Sequence, residues 1–421
     1  MKIAYLCADV GVPLDGSKGA SVHLREMIHA WVKLGHEVVL FTPNTPPGDG
    51  FADVTVVTVP QESAFEQAQP ALKRLEVQLD QKLRVRQDLR NLGYNLAFFD
   101  QAGAWLQDQA FDFIYERYTL FHHAGIDLAR QFHLPHILEV NAPLCQEQEQ
   151  MRGLDIKALA HQLEQKVLTE SDQVIVVSDA LRQFAQALGV DPQRILTLPN
   201  GVDPEKFSPD VADGQSVRQH YKLDGKDVIG FIGTLKPWHG VDSLVKAVAL
   251  LKEQRPDVHV LIVGDGPQRP ALEQQVHQAD LNSQVTFTGT VPYAQMPDHI
   301  AALDIAVAPY VEHADFYFSP IKLFEYMALE KPVVAAGLGQ VRDIIRQDET
   351  GILYEPGNVA ELGSALGRLL DDPSRGQQMG ERARQQVVRQ HTWMKNAERV
   401  ISVADRLIDR PSVASGQKDS N

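Results

Sequence analysis

The sequence predicts an α/β protein with two doubly wound domains, each a parallel sheet covered by helices. Two series of short apolar runs rich in Val and Ile alternate with helical patterns along the chain, and such runs indicate strands buried on both faces, as in parallel sheets. A chain of 421 residues is also too long for one ordinary core. Finally, a stretch rich in Pro, Gly and Asp separates the two series at residues 198–216, as a linker between domains would.

The two series give the order of the predicted strands. The first series contains residues 3–7, 37–41, 54–59, 111–115, 136–140 and 173–177. The second contains residues 228–233, 258–264, 284–289, 304–309 and 331–336. We therefore predict an N-terminal domain at 1–208 and a C-terminal domain at 209–391, both Rossmann-like. The tail at 411–421 has too few apolar residues to pack and is predicted to be disordered.

Composition and charge argue against several classes of protein. The chain has 40 Lys and Arg against 55 Asp and Glu, a net charge of −15, so its overall field does not favour nucleic acid. Cys7 and Cys145 are too few cysteines for a disulfide framework or a zinc site. The N-terminus lacks the pattern of a signal peptide, and no apolar run approaches the roughly 20 residues of a spanning helix. We therefore expect a cytoplasmic protein.

A helical insertion at 62–110 joins two strands of the first series and carries a cluster of basic residues. These are Lys73, Arg74, Lys82, Arg84, Arg86 and Arg90, with Leu72, Leu75, Leu79 and Leu83 at helical spacing. One interpretation is an amphipathic helix packed on its own domain. The other is a basic helix that contacts an anionic membrane surface. Glu76, Asp80 and Asp88 dilute the basic face and favour the first interpretation.

Glycine-bearing loops follow several predicted strands, at the sheet edge where doubly wound folds bind ligands. The loop at 8–27 contains Gly11, Gly16 and Gly19 before a helix, which suits a phosphate or a sugar hydroxyl. It matches neither a P-loop nor G-x-G-x-x-G. The loop at 233–244 repeats the design and adds Lys236 and His239, whose charges are predicted to face an anion. Loops at 263–272 and 288–300 follow at the same edge.

The stretch "SPIKLFEYMALEKPVVAAG" at 319–337 combines polar groups with a buried setting. Ser319 is a predicted N-cap, and Pro320 suits the first helical position. The amides of the first turn and Lys322 are predicted to converge on a phosphate. Glu325 follows about one turn later, where its carboxylate can accept hydrogen bonds from a ribose diol. The alternative is a Lys322–Glu325 surface pair of little consequence, which the buried strands on both sides disfavour.

The chain resembles the family-4 retaining glycosyltransferases, which have the two-domain GT-B fold. The segment "SPIKLFEYMALEKPVVAAGLGQVRDIIRQDETGILYEPGNVAELGSAL" is similar to the donor-binding segment of that family. "DGSKGASVHLREM", "LPNGVDPEKFSP", "GTLKPWHGVDSLVKAV" and "HVLIVGDGPQRPALEQ" match other family segments in the family's order. The resemblance covers nearly the whole chain apart from 62–110 and the tail.

The resemblance implies a nucleotide-sugar donor on the C-terminal domain and an unknown acceptor facing the N-terminal domain. The acceptor would be a glycan, a lipid-linked sugar or a small molecule, as in polysaccharide biosynthesis. The resemblance also implies transfer with retention of configuration and without a cofactor or a metal ion. It further implies that the C-terminal helix, here at about 392–410, packs back on the first domain. The implied donor-binding residues are Gly19, Ala20, Gly233, Thr234, Lys236, His239, Gly264, Gly266, Val291, Ser319, Pro320, Ile321, Lys322 and Glu325. Of these, Lys236, Lys322 and Glu325 are the candidates for catalysis.

The chain also departs from the family pattern. Many members carry an acid where this chain has Tyr317, and an arginine and a lysine where it has Thr234 and His239. Lys322 and backbone amides are then predicted to replace the acid. A histidine that is common near the fourth or fifth strand is replaced by "YERYTLF" and "LEVNAPL". These segments make Glu116, Arg117, Glu139 and Asn141 candidates for contact with the acceptor or the donor sugar, or else for structural roles.

Two other classes of protein share the predicted two-domain plan. One is a nucleotide-sugar epimerase or phosphorylase, and the other is a catalytically silent sugar-nucleotide-binding partner. An epimerase would convert the donor sugar without an acceptor, and a silent partner would bind the donor without turnover.

The chain shows no obvious carboxylate pair of the kind that retaining glycosidases use. Together with the retention that the resemblance implies, this favours a front-face substitution, in which the acceptor attacks on the side from which the diphosphate leaves.

Overall fold

A computed structural model describes residues 1–46, 51–60, 69–83, 85–151, 153–312 and 316–409. Within these residues the strands form two sheets, of seven and six strands. The first sheet contains β1 Lys2–Cys7, β2 Glu37–Thr42, β3 Thr55–Thr58, β4 Phe113–Arg117, β5 His136–Val140, β6 Gln173–Val176 and β7 Ile195–Thr197. The second contains β8 Asp227–Ile232, β9 Val258–Val263, β10 Val285–Gly289, β11 Ile305–Ala308, β12 Val333–Ala336 and β13 Ile352–Tyr354.

Helices connect the strands and cover the sheets. Those before β8 are α1 Gly19–Lys33, α2 Gln69–Leu79, α3 Val85–Asp108, α4 Ala124–Phe132, α5 Leu144–Met151, α6 Lys157–Glu170, α7 Asp179–Ala187 and α8 Gly214–Tyr221. Those after β8 are α9 Val241–Leu251, α10 Arg269–Gln278, α11 Met296–Ala301, α12 Ile321–Ala328, α13 Gly339–Ile344, α14 Val359–Asp371, α15 Pro373–Gln390 and α16 Trp393–Ile408. Among the described residues, no helix combines the length and the apolarity needed to cross a bilayer.

Both sheets are parallel, and both have the doubly wound strand order. The first sheet runs β3-β2-β1-β4-β5-β6-β7 and the second runs β10-β9-β8-β11-β12-β13, so each order reverses beside its first strand. Ligands of such sheets bind beyond the carboxyl ends of the strands at this reversal. The predicted fold class is confirmed. The sequence prediction missed β7 and β13, because each has three residues and pairs on one side only.

The helix α16 packs against the first sheet although it follows the second in the chain. Its Trp393, Ala397 and Val400 share a buried cluster with Tyr5 of β1 and Trp31 of α1. Burying apolar side chains at roughly 25 cal/mol per Å² makes such a cluster a substantial stabilising contact. The C-terminal end of the described chain is thereby held on the domain in which the chain begins.

The helical insertion divides into two parts that differ in burial. In α3, Tyr94, Phe98 and Ala102 are buried against the first sheet, so the packed interpretation is correct there. In α2 no residue is buried, and Val77 and Leu79 are 82% and 54% exposed. The packed interpretation is therefore wrong for α2. Residues 62–68, Arg84 and the tail at 411–421, for which packing or disorder was predicted, lie outside the described residues.

Candidate active site

A cleft between the two sheets holds a cavity of about 570 Å³. The loop before α1 forms one wall, and the loops after β8, β9 and β10 and the start of α12 form the other. The lining residues are Ser17, Lys18, Gly19, Val22, Asn200, Ile232, Gly233, Thr234, Trp238, His239, Val263, Gly264, Asp265, Thr290, Val291, Tyr293, Met296, Tyr310, Phe318, Ser319, Pro320, Ile321, Lys322 and Glu325. A cavity of this size accommodates a small organic ligand.

The start of α12 differs from its prediction. The helix begins at Ile321, and Pro320 occupies the cap position in an extended conformation without a side-chain cap. Ser319 is therefore not the N-cap. Its Oγ instead accepts a hydrogen bond of 2.8 Å from the backbone N–H of Asn200, whose Nδ2 donates to the Ser319 carbonyl at 2.6 Å. These two hydrogen bonds connect the linker to the residue that precedes the cap of α12. The first backbone amides of α12 have no side-chain cap.

Lys322 lies in the cleft as a buried amine. Its Nζ is buried without a hydrogen-bond partner among the described residues, and it lies 4.2 Å from the centroid of the Phe231 ring. Burial lowers the pKa of Lys322 to about 7, although Glu325 opposes this change. A buried ammonium without a partner is costly, so this amine is poised to gain a proton when an anion enters the cleft.

Glu325 lies one turn further along α12 and is 5% exposed. The hydroxyl of Tyr293 donates to its Oε1 at 2.9 Å. Burial raises the pKa of Glu325 to about 7, and the bond from Tyr293 only partly opposes this. No ion pair joins Glu325 to Lys322 within the described residues. The two groups are buried separately and do not form the surface pair considered as an alternative.

The loop after β8 contributes less charge than predicted. His239 lines the cavity, but burial and the neighbouring Lys322 lower its pKa to about 3. Its Nδ1 bonds the Thr234 carbonyl, which can only accept, so Nδ1 carries the proton and the ring is neutral. The prediction of a charged His239 is thus wrong. Lys236 does not line the cavity, and its Nζ lies 5.5 Å from the centroid of the Trp238 ring.

Glycines let the backbones of adjacent loops approach each other in the cleft. A Cβ on Gly233, which has φ of +140°, would lie 2.5 Å from Lys322 Nζ. A Cβ on Gly264 would lie 2.1 Å from the Gly233 carbonyl oxygen. Gly266 does not line the cavity, and a Cβ there would meet Leu235 instead. Ala20 also lies outside the lining and packs against the first domain's core.

The structure therefore separates the predicted donor residues into two sets. Those that line the cleft are Gly19, Gly233, Thr234, His239, Gly264, Val291, Ser319, Pro320, Ile321, Lys322 and Glu325. Those that do not are Ala20, Lys236 and Gly266. Gly19 faces the second domain closely, because a Cβ on it would lie 3.7 Å from Ile321 Cδ1.

The four candidates for acceptor or sugar contact fall into two buried clusters, and none lines the cleft. Arg117 Nη1 donates to Glu139 Oε1 at 2.6 Å, and Asn141 bonds the same oxygen. Glu116 belongs to another cluster with His122 and His136. Successive residues of a strand point to opposite faces of the sheet, so Glu116 and Arg117 could not share one site.

A hydrogen-bonded chain connects the Glu139 cluster to the cleft. His23 bonds Glu139 Oε2 through Nε2 at 2.9 Å and Asn200 Oδ1 through Nδ1 at 2.7 Å. Asn200 in turn bonds Ser319. Burial raises the pKa of Glu139, but its bonds to His23, Arg117 and Tyr115 outweigh burial and lower the pKa to about 2. The first domain thus positions Ser319 through an ionised carboxylate.

Tyr317, which stands where many members of the family carry an acid, lies outside the cleft lining. Its side chain is buried in a hydrophobic cluster of the first domain with Tyr118 and Leu138, and it does not line the cavity. The Tyr317 carbonyl accepts a bond of 2.7 Å from Ser178 Oγ. Position 317 in this chain is therefore a contact between the domains.

Sequence reasoning missed several residues of the cleft and its surroundings. These are Ser17, Lys18, His23, Asn200, Asp265, Tyr293, Tyr310 and Phe318. Asn200 had a signal, because Asn-Gly in a linker between domains marks a specific turn. Tyr293 had none, since a tyrosine in a loop does not reveal which carboxylate it will meet.

Metal-ligating side chains come together elsewhere in the first domain. Among the described residues, one group of three or more places its ligand atoms within 4.8 Å of one another: Cys145, His161 and Glu164. None of the three lines the cleft. Burial raises the pKa of the Cys145 thiol, which opposes its acting as a thiolate ligand.

Comparison with known proteins matches the two halves of the chain to two glycosyltransferase family models. Residues 17–206 match the family model described as Glycosyltransferase Family 4, and residues 214–386 match that of Glycosyl transferases group 1. The chain is 35% identical over 193 residues to the 2-deoxystreptamine glucosyltransferase of Streptomyces kanamyceticus, covering 45% of this chain and 49% of that protein. It is 32% identical over 245 residues to a GDP-mannose-dependent monoacylated phosphatidylinositol monomannoside mannosyltransferase of Corynebacterium glutamicum, covering 56% and 63%. The chain thus spans about half to just under two thirds of the length of these relatives.

Solved structures show the same fold over nearly the full length. HepE of Anabaena, in complex with UDP, has a TM-score of 0.71 at 18% identity, with 96% of this chain and 100% of that chain covered. Sucrose-phosphate synthase of Thermosynechococcus elongatus has a TM-score of 0.71 at 20% identity, with 96% and 98% covered. Because two complementary family models cover the two sheets in order, the chain belongs to the family-4 glycosyltransferases and has their two-domain GT-B fold.

Proposed function

We propose that the protein is a retaining glycosyltransferase that moves a sugar from a nucleotide-sugar donor in the cleft to an acceptor hydroxyl without a metal ion. The observation that carries the proposal is the pair of buried groups on α12. Lys322 presents to the cavity an amine that has no hydrogen-bond partner among the described residues, and Glu325 presents a buried carboxyl to the same cavity. A diphosphate suits the first group and a ribose diol the second. One relative is GDP-mannose-dependent by its name, and one structure of the same fold is in complex with UDP.

In the proposed reaction, the bond between the anomeric carbon and the donor phosphate oxygen breaks. The acceptor oxygen bonds to that carbon on the same face, and its proton passes to the departing phosphate. Negative charge on the diphosphate grows as the bond breaks, so Lys322 and the uncapped amides at the start of α12 stabilise the transition state. The protein contributes positioning and charge and needs no covalent intermediate.

Turnover of defined donors tests this proposal. Thermal-shift measurements rank the binding of UDP-, GDP-, ADP- and dTDP-sugars. For each nucleotide sugar that binds, NMR then follows the reaction products with and without acceptors. We expect at least one donor to give free nucleotide and a product that keeps the donor's anomeric configuration. Conversion of the donor sugar without loss of nucleotide would identify an epimerase, and binding without turnover a silent partner.

Nucleotide affinity is expected to be greatest near pH 7, where the pKa values of Glu325 and Lys322 both lie. A bound diphosphate favours the ammonium form of Lys322, so binding takes up a proton above this pH, and affinity falls as pH rises. A ribose diol favours the carboxylate of Glu325, so binding releases a proton below this pH, and affinity falls as pH decreases.

Calorimetric titration of UDP and GDP across the pH range, in buffers of different ionisation enthalpy, measures both effects. We expect Glu325→Gln to remove the acidic side of the profile and Lys322→Met to remove the alkaline side. Affinity that is flat with pH in the unmodified protein would show that neither group meets the nucleotide.

We also propose that α2 makes peripheral contact with an anionic membrane. Val77 and Leu79 are exposed beside Lys73 and Arg74. Each basic side chain near an anionic surface contributes about 1 kcal/mol to membrane binding.

Vesicle cosedimentation tests this contact. We expect the protein to cosediment with vesicles that contain phosphatidylglycerol but not with vesicles of phosphatidylcholine alone. Val77→Asp should weaken this binding several-fold, whereas Val211→Asp, at a valine in the linker that is 72% exposed, should not. Equal binding to both vesicle types would contradict the contact.

A further inference from the structure

A second cavity, of about 790 Å³, lies in the first domain. It is formed by the chain that follows β1, by α3, by the loop after β4 and by α5. The loop that supplies Asp9 and Gly11 to this cavity continues into Ser17 and Gly19 of the cleft, so one loop borders both. Side-chain amides of Gln87, Asn91 and Gln148 line the cavity. Amides both donate and accept hydrogen bonds, which suits a ligand rich in hydroxyl groups.

His122 contributes a buried nitrogen without a partner to this cavity. The residue is 2% exposed, and its Nδ1 lies 2.6 Å from Glu116 Oε1. The Phe98 ring packs edge-on against the imidazole with the centroids 4.7 Å apart. Nε2 has no hydrogen-bond partner within the described residues. Leaving a buried polar atom unsatisfied is unfavourable, so this nitrogen is available to a hydrogen-bonding group that enters the cavity.

The partners of Glu116 determine which nitrogen of His122 carries the proton. Burial raises the pKa of Glu116, but the bonds to His122 and His136 outweigh burial and lower it to about 2. The carboxylate therefore only accepts hydrogen bonds. Nδ1 of His122 must then be the donor, and in the neutral ring Nε2 holds a lone pair. A carboxylate that orients an imidazole in this way prepares the other nitrogen to accept a hydrogen bond from a hydroxyl.

The surrounding fold leaves space for this arrangement. A Cβ on Gly125 at the start of α4 would lie 2.0 Å from Glu116 Oε2 and 3.0 Å from His136 Nε2. Only glycine at this position lets the helix pass so close to the carboxylate. His136 Nε2 holds the second oxygen of Glu116 at 2.8 Å. The packing and hydrogen bonds around Glu116 thus fix the orientation of His122.

We propose that His122 binds a hydroxyl of the acceptor through Nε2, and that the acceptor portion in this cavity is a polyhydroxylated ring, a sugar or a cyclitol. The inference rests on the proposed transferase function and adds the acceptor class and a residue that recognises it. It differs from the sequence prediction, in which Glu116 itself was a candidate for contact. In the structure Glu116 is a positioning residue that acts through His122.

Acceptor kinetics of His122→Asn test the proposal. Asparagine keeps a donor near the position of Nδ1 and removes the acceptor atom at Nε2. Rates of transfer to methyl α-glucoside, methyl α-mannoside and myo-inositol are compared with donor hydrolysis in the absence of acceptor. We expect kcat/KM for the acceptor to fall about 10-fold or more, the loss expected for one hydrogen bond to a charged or oriented group. The donor KM and the hydrolysis rate should stay within about twofold.

Two further variants control for structural effects. His123→Asn changes the neighbouring histidine, which pairs with Asp127 at 2.8 Å and does not line the cavity, and should leave the acceptor kinetics unchanged. His122→Gln, whose carbonyl reaches toward the position of Nε2, should restore part of the activity lost in His122→Asn. An equal loss of hydrolysis and transfer in His122→Asn would indicate a merely structural role and overturn the proposal.

A measurement that does not depend on turnover separates the two proposals. The ¹⁵N signal of His122 Nε2, assigned by its absence from His122→Asn, is followed as the three compounds are added at high concentration. We expect at least one compound to shift this signal and to leave that of His123 in place. No shift with any compound would overturn the role of His122. A shift in a protein that neither transfers nor hydrolyses any nucleotide sugar would instead overturn the transferase function.

Discussion

Lys322→Met is expected to lower kcat by about 10²- to 10³-fold, the loss typical of removing one group that stabilises developing negative charge. Methionine keeps the volume of the lysine stem and deletes the charge. The Lys322 amine is buried, has no hydrogen-bond partner in the part of the chain that the structure describes, and lines the cleft. In the proposed mechanism, its interaction with the diphosphate strengthens as the leaving group gains charge. Donor affinity should therefore fall much less than kcat.

The control for this prediction is Lys236→Met, at the other lysine that the sequence offered as a catalytic cation. Lys236 lies beside Trp238 and outside the cavity lining, so its removal should reduce kcat less. Steady-state rates with the best donor, measured with and without EDTA, give the comparison. Activity is expected to persist in EDTA. Loss of turnover in EDTA, with both lysine variants active, would show that a metal ion carries the charge.

Glu325→Ala is expected to raise the donor KM about 10- to 150-fold while the fold is retained. A hydrogen bond to a charged group contributes roughly 1.5–3 kcal/mol, which corresponds to this range. The carboxyl is buried in the cleft and is oriented by Tyr293 at 2.9 Å. Its loss removes a contact made equally in the ground and transition states, so kcat should change less than KM.

Calorimetry with the preferred nucleotide measures this change directly. Glu330→Ala provides the matched control, because Glu330 follows α12, does not line the cavity and has a half-exposed side chain near Arg384. Its donor binding should be unchanged. Undiminished nucleotide affinity in Glu325→Ala would remove Glu325 from the donor site. Tyr293→Phe should have a smaller effect in the same direction, because it removes the group that orients Glu325 and leaves the carboxyl in place.

Hydrogen bonds between the two domains fix the position of the start of α12, on which Lys322 and Glu325 lie. Ser319, immediately before the cap of α12, is held by Asn200 of the linker, and His23 connects Asn200 to the ionised Glu139 of the first domain. The start of α12 therefore depends on the position of the first sheet. The sequence predicted that Ser319 caps its own helix, and it left Glu139 open between a substrate contact and a structural role.

The sequence by itself determined the two parallel sheets, because continuous Val and Ile runs alternating with helical patterns allow few other structures. It also placed Lys322, Glu325 and the glycine loops at one edge, since the carboxyl ends of parallel strands share an edge of the sheet. Only the tertiary structure decided which polar groups reach the cavity. The neutral ring of His239, the position of Lys236 outside the lining and the unpartnered nitrogen of His122 all depend on burial and on partners distant in the chain. Local patterns fix where a loop lies, but the charge and the direction of its side chains follow from the neighbours that folding brings to it.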